Sequence, residues 1–175
     1  ANPSDVISLA GAGLSGITKN GDGVTIGATT THAAVAGSGD VPAALRSVAE
    51  GIGDPQVRNR GTIGGSIANN DPAADYPAAC LGLGATIITN QREIAADDFF
   101  TGLLETALED GEIITAVSFP VPEKAGYAKL QNPASRFALV GVFVSSGAGG
   151  VRVAVTGAGA SGVFRASDAE AALSG

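Results

Sequence analysis

Lys19-Asn20-Gly21-Asp22-Gly23 sets two hairpin-type dipeptides, Asn-Gly and Asp-Gly, side by side. Such pairs supply the positive φ that a tight turn between antiparallel strands requires. The flanking segments are therefore expected to pair antiparallel, with Val24 to Thr31 as the outgoing strand. The same punctuation recurs along the chain: 26 glycines lie without a period among runs of Val, Ile and Leu. That pattern reads as short strands joined by tight turns.

In order, Val6 to Leu9 is a short strand candidate. Asp40 is placed to cap a helix with Pro42 in its first turn, because Val41, Ala44, Leu45, Val48, Ala49 and Ile52 fall at helical spacing and Gly51 and Gly53 follow. Ala73 to Leu83 reads as a helix, with Pro77 in or near its first turn and Gly84 as its stop. Ala85 to Thr89 and Arg92 to Ile94 read as strands around Asn90-Gln91, with a helix entry at Asp97 to Phe100. Glu112 to Phe119 is a strand rich in β-branched residues. Pro120 and Pro122 then break regular structure and mark the expected boundary between units 1–119 and 120–175. Beyond them, Gly126 to Gln131, Phe137 to Ser145 and Val151 to Thr156 are expected to form a small antiparallel layer, the second with possible helix at its start. Ser167 to Leu173 reads as an N-capped helix.

A net charge of -7 argues against nucleic acid, which rewards basic patches. The single cysteine, Cys80, rules out an internal disulfide and a cysteine-rich metal site, and inside an apolar stripe it reads as core. A cytoplasmic location is expected. The longest apolar run, Phe137 to Val144 interrupted by Gly141, is far too short to cross ~30 Å of hydrocarbon, so no membrane span is expected.

The richest stretch chemically is Asn59-Arg60-Gly61-Thr62-Ile63-Gly64-Gly65-Ser66-Ile67-Ala68-Asn69. Adjacent glycines flanked by Thr62 and Ser66 can bring backbone N–H groups to one point, which is how a backbone grips a phosphate. The plainer reading is a glycine-rich turn between packed elements. Two other segments, Gly11 to Gly16 and Gly157 to Gly162, match G-x-G-x-x-G, but neither has the strand-helix-strand sequel of a dinucleotide fold, and both read as turns. His32 has no partner spaced for a triad and takes no catalytic role. Asp97-Asp98 and Glu109-Asp110 read as solvated surface. No catalytic side chain and no metal site are expected. Lys129 lies in the otherwise apolar Gly126-Tyr127-Ala128-Lys129-Leu130, so its ammonium either snorkels to water or meets an anionic or carbonyl-rich partner.

Val57 to Ala68, with Asp71-Pro72 and Asp75, resembles the second flavin-binding segment of the FAD-carrying medium subunit of molybdenum hydroxylases, a family that includes aerobic carbon monoxide dehydrogenases and xanthine dehydrogenases. Thr25 to His32 and Gly111 to Ile114 extend the resemblance through nearly the whole chain. It implies an α+β fold, a mostly antiparallel flavin-binding subdomain followed by a small antiparallel sheet and helix. It implies FAD held by Thr62, Ile63, Gly64, Gly65 and Ser66 at the diphosphate and flavin side. Asn69 would lie nearby, Asp75 at the sugar, Ile52 at the adenine, Ile113 or Ile114 at the isoalloxazine and Lys129 beside the ring. Ser66 stands where many members have asparagine. The resemblance further implies a molybdopterin-binding large subunit and an iron–sulfur small subunit as partners, with electrons relayed through FAD to an acceptor.

Family members also carry an earlier glycine-rich loop and a final helical stretch, so the chain is expected to be a fragment with half of a two-sided FAD clamp, in which FAD is weakly held or absent. A cofactor-free structural or subunit-contact module is therefore the alternative. A nicotinamide enzyme using Gly157 to Gly162 is the third reading.

Overall fold

The computed structural model describes residues 3–175. The elements run β1 (Ile17–Asn20), β2 (Gly23–Gly27), α1 (His32–Gly37), α2 (Ala43–Glu50), α3 (Pro55–Arg60), α4 (Ile63–Asn69), α5 (Asp75–Leu83), β3 (Thr86–Thr89), β4 (Glu93–Ala95), α6 (Ala96–Phe99), β5 (Phe100–Gly102), β6 (Glu105–Thr106), β7 (Ile114–Pro120), β8 (Lys124–Gln131), β9 (Ala138–Gly147), β10 (Gly150–Thr156), β11 (Phe164–Arg165) and α7 (Ser167–Leu173). The fold is α+β. One sheet has the order β1-β2-β7-β3-β4, a second β11-β10-β9-β8, and β5 and β6 form a ribbon.

The hairpin turn sits where its dipeptides place it. Asn20 pairs with Gly23 across a two-residue connection, and Gly21 takes a φ of 52°. Every strand pairing among the described residues is antiparallel. That removes the strand-helix-strand unit a nicotinamide fold needs. Both G-x-G-x-x-G matches run as turns, with positive φ at Gly13, Gly16, Gly157 and Gly162.

Helix α5 is the pivot of the architecture. All nine of its residues are buried, as expected of a helix without a polar face, and it packs against β9 and β10 of the second sheet. Pro77 is its third residue, where a missing N–H removes no intrahelical bond. Gly84 closes it in the left-handed region with φ 66°. The final carbonyls of a helix lack partners within it, and here the second sheet supplies them. Arg152 Nε donates to Leu81 O at 2.7 Å and Ser145 Oγ to Gly82 O at 2.6 Å. The hydrophobic core is continuous across this helix, from Val24, Ile26 and Phe119 of the first sheet to Phe143 and Ala154 of the second.

Several local expectations are corrected. Val6 to Leu9 forms no strand and pairs with nothing among the described residues, leaving Val6 87% exposed. The strand from Val24 stops at Gly27, where the Cβ of any larger residue would lie 2.4 Å from Leu14 O. Asp40 does not cap α2, whose N-cap is Pro42 with no side-chain bond. Phe137 precedes β9, which is extended from its start. Ser167 is the first residue of α7 rather than its cap, and Glu170 turns away to accept from Val153 N at 2.9 Å and Arg165 Nη2 at 2.6 Å. Asp97 is not simply solvated: it accepts from Arg152 of β10 and Arg165 of β11, tying α6 to the second sheet.

Glu112, at the approach to β7, is sealed beneath Arg92. The Arg92 guanidinium first, then the Glu109 N–H and the Thr89 hydroxyl, hold its carboxyl down to about 2. A folded value below the ordinary 4.5 means that its contribution is complete above that pH and is lost as pH falls towards 2. In acid titrations followed by circular dichroism, Glu112→Gln is expected to be less stable at neutral pH and to show a flatter stability curve between those two values. An unchanged curve would remove Glu112 from the acid-sensitive set.

Candidate functional site

Three short helices, α1, α3 and α4, build one wall of the site, each opened by a side-chain cap. Thr31 accepts from Ala34 N at 3.2 Å, Asp54 from Val57 N at 2.8 Å and Thr62 from Gly65 N at 3.2 Å. Pro55, with its fixed φ, follows the Asp54 cap and starts α3. The segment expected to be a phosphate-gripping loop is thus the first turns of α4. Its amides are engaged within the chain. Ile63 N donates to Thr30 O, Gly64 N to Ala28 O, Gly65 N to the Thr62 hydroxyl and Ser66 N to Thr62 O. The convergence of free amides expected from Gly64-Gly65 is therefore corrected: the carbonyls of Thr30 and Ala28 take the first two amides and the Thr62 cap takes the third.

The two glycines do different work. Gly64 is buried against β2, and a Cβ there would lie 2.6 Å from Ala28 Cβ and 2.8 Å from Ala28 O. Gly65 is exposed, and its missing Cβ meets only the Thr62 hydroxyl oxygen at 3.0 Å. Gly65 thereby leaves the outer surface of α4 bare for close approach. Beside it, Ser66 is half-buried and Asn69 exposed.

That bare surface borders a cleft of about 330 Å³ lined by Ile52, Gly65, Ser66, Asn69 and Asp75, together with Val57, Asp71, Phe137 and His32. A smaller hollow of about 80 Å³ shares its Ile52, Val57, Asp75 and Phe137 walls. The cleft lies at the lower end of the volume range for cofactor sites. Ile52, Val57 and Phe137 make an apolar side, and the outward face of α4 with Asp71 and Asp75 makes a polar one.

Asp75, in the first turn of α5, anchors the polar side. Its carboxylate accepts from the Tyr127 hydroxyl and from Lys129 Nζ at 3.0 Å. Burial pushes the Asp75 carboxyl upward, against the opposing pull of Tyr127 and Lys129. Lys129 resolves as the residue with an anionic and carbonyl-rich partner set: its ammonium also donates to Gly51 O at 2.9 Å and Arg136 O at 3.0 Å. The two side chains are 8% and 5% exposed. Lys129 therefore joins β8 to α5 and to the end of α2, one residue from Ile52.

Of the candidate residues, Ile52, Gly65, Ser66, Asn69 and Asp75 converge on the cleft, and Lys129 stands behind Asp75. Thr62 caps the helix that carries them. Ile63 and Gly64 face the core. Ile114 is buried in β7 opposite Thr89, whereas Ile113 is 41% exposed and bonded through its backbone to Asn90; neither lines the cleft. Val57, the first residue of the flavin-type segment, and Phe137 are lining residues to which the sequence assigned no role in the site. His32, expected at the end of a strand, is the first residue of α1 and is 4% exposed. The Thr31 cap was the signal that a helix starts there. Among the described residues no cluster of three His, Cys, Asp or Glu is placed to hold a metal ion, and no helix is long and apolar enough to cross a membrane.

Comparison with known proteins adds three findings. Residues 1–122 match the family model described as FAD binding domain in molybdopterin dehydrogenase. The carbon monoxide dehydrogenase medium chain of Afipia carboxidovorans is 43% identical over 73% of this chain and 48% of the relative. The nicotine 6-hydroxylase medium subunit of Paenarthrobacter nicotinovorans is 37% identical over the whole of this chain and 66% of its own length. The chain thus spans about half to two thirds of these relatives. Among solved structures, the cyanide-inactivated Cu,Mo-CO dehydrogenase superposes with a TM-score of 0.84 at 36% identity, covering 93% of this chain and 62% of that one. Quinoline 2-oxidoreductase from Pseudomonas putida 86 gives 0.78 at 27% identity, covering 87% and 57%.

Proposed function

This chain belongs to the family of FAD-binding domains of molybdopterin dehydrogenases, and from that premise we propose that its cleft holds part of FAD within a multisubunit oxidoreductase. The observation that supports this reading is the convergence of Ile52, Gly65, Ser66, Asn69 and Asp75 on one cleft. The cleft also fits such a ligand chemically. It has an apolar side suited to a ring system, a helix surface bared by glycine, and the imidazole ring of His32 in its lining.

Each residue has a distinct task in this reading. Gly65 allows the cofactor to approach the α4 backbone. The Thr62 hydroxyl, whose oxygen already accepts from Gly65 N, keeps its own proton to donate, and Ser66 and Asn69 add donors along the same helix. Asp75 offers carboxylate lone pairs to sugar hydroxyls. Lys129 and Tyr127 hold that carboxylate in place and limit its charge in a partly dry site. Ile52 and Phe137 exclude water from the ring edge. Residues 1–119 form the cofactor lobe in this proposal, and 120–175 the subdomain that supplies Lys129. The partners are a molybdopterin-binding large subunit and an iron–sulfur small subunit. Bound FAD would supply the redox chemistry, passing electrons from those subunits to an external acceptor.

Titration of the protein with FAD, read by quenching of flavin fluorescence, is the test. Saturable quenching, abolished by Gly65→Val in a protein that still folds, is the expected result. A folded wild-type protein that leaves flavin fluorescence unquenched would overturn the reading in favour of a cofactor-free contact module.

A further inference from the structure

We propose that His32 is itself a cofactor contact, a neutral imidazole in the cleft wall that hydrogen-bonds an uncharged polar edge of FAD, a hydroxyl or ring heteroatom. This deepens the flavin reading and rests on it. Four observations converge on the residue. Its ring forms part of the cleft lining beside Gly65 and Ser66. Only 4% of the residue is exposed, yet its Nδ1 is sealed from solvent with no hydrogen-bond partner. Buried polar atoms almost always have partners, because an unmet one forfeits its hydration without replacement. An imidazole retained at such a place serves something beyond packing, which a phenyl ring would do as well against Tyr76, 5.3 Å away between centroids.

The third observation is that a second position is given over to this ring. A Cβ on Gly61 would lie 2.5 Å from His32 Nε2 and 2.8 Å from Cδ2, so glycine at the α3–α4 junction is what admits the imidazole. With Nδ1 sealed, Nε2 is the nitrogen left to meet a ligand.

The fourth is charge. Burial pushes His32 down to about 4, so the ring is uncharged at neutral pH and adds no cation for a diphosphate. The groups around it point the same way. Asp71 and Asp75 share the cleft, the latter paired with Lys129, and Arg58 of α3 is turned to the carbonyls of Ile52 and Gly53. An uncharged edge of the cofactor suits this wall better than its phosphates do.

The chain contains one histidine, so its ring nitrogens are read directly by proton–nitrogen correlation spectroscopy without assignment. On saturation of the wild-type protein with FAD, one ring nitrogen is expected to shift as a single tautomer is fixed. His32→Phe, which keeps the packing on Tyr76, is expected to bind FAD about tenfold more weakly, the worth of one hydrogen bond at a desolvated site. His32→Gln, with a donor and an acceptor, is expected to recover most of that loss. A folded His32→Phe protein that binds FAD as tightly as wild type overturns the inference and leaves the flavin reading standing, as does a ring spectrum that FAD leaves unmoved. A wild-type protein that binds no FAD overturns both.

Discussion

Lys129→Met is expected to lower the stability of the protein by about 3–5 kcal/mol, the usual consequence of stripping one partner from a buried ion pair. The ammonium has three acceptors, Asp75, Gly51 O and Arg136 O, and both charged side chains are almost entirely enclosed. Without Lys129, the Asp75 carboxylate keeps only the Tyr127 hydroxyl, and two carbonyls lose their donor. Denaturant unfolding gives the measurement. The double variant Asp75→Asn/Lys129→Met is expected to recover part of the loss, because no uncompensated charge then remains. If Lys129→Met unfolds at the wild-type denaturant midpoint, the ammonium is not structural, and its role passes to the ligand alone.

The second large effect separates two neighbouring glycines. Gly64→Ala drives a methyl into Ala28, including its backbone oxygen, which cannot swing aside as a side chain would. Overpacking of this kind costs about 1–3 kcal/mol, and here it falls on the contact that seats α4 on β2. Gly65→Val points into the cleft, so it should leave the melting temperature near that of wild type while removing FAD binding. Thermal melts and flavin titrations on both variants give four numbers. Loss of stability in Gly64→Ala with loss of binding alone in Gly65→Val is the expected pattern, and the reverse would exchange the roles given to the two positions.

The parts of this fold that follow from local pattern were legible before the structure. The Asn-Gly and Asp-Gly turn, the apolar run ending at Gly84, and the three strands after Pro122 each carry a period or a stop signal within a few residues. Helices α1, α3 and α4 were not, since six or seven residues are too few for apolar periodicity to show and too few to be stable without tertiary packing. Their marks were the cap residues Thr31, Asp54 and Thr62, with Pro55 after the second, and each of these residue types is also common in loops. The site divided in the same way. The Thr62 to Ser66 word announced its region, and Lys129 stood out as a cation that would either snorkel to water or meet an anionic or carbonyl-rich partner. That the partner is Asp75, 54 positions earlier, follows from the pairing of β8 with β9, the strand that packs on α5, and no spacing in the chain encodes it. The inward turn of the Gly64 amide was equally hidden, because it depends on Ala28.

Helix α5 has a consequence for how the protein is made. Its first carboxylate is met by Tyr127 and Lys129, and its last carbonyls by Ser145 and Arg152. A ribosome adds about 5–20 residues per second, so a nascent chain that has just completed Leu83 waits on the order of several seconds before those four side chains exist. Until Lys129 is made neither end of this fully buried helix is finished, and its last carbonyls wait until Arg152. The growing polypeptide is most open to chaperones and to mispairing in that window, and synonymous codons that slow translation between Gly84 and Arg152 would lengthen it without changing a single residue.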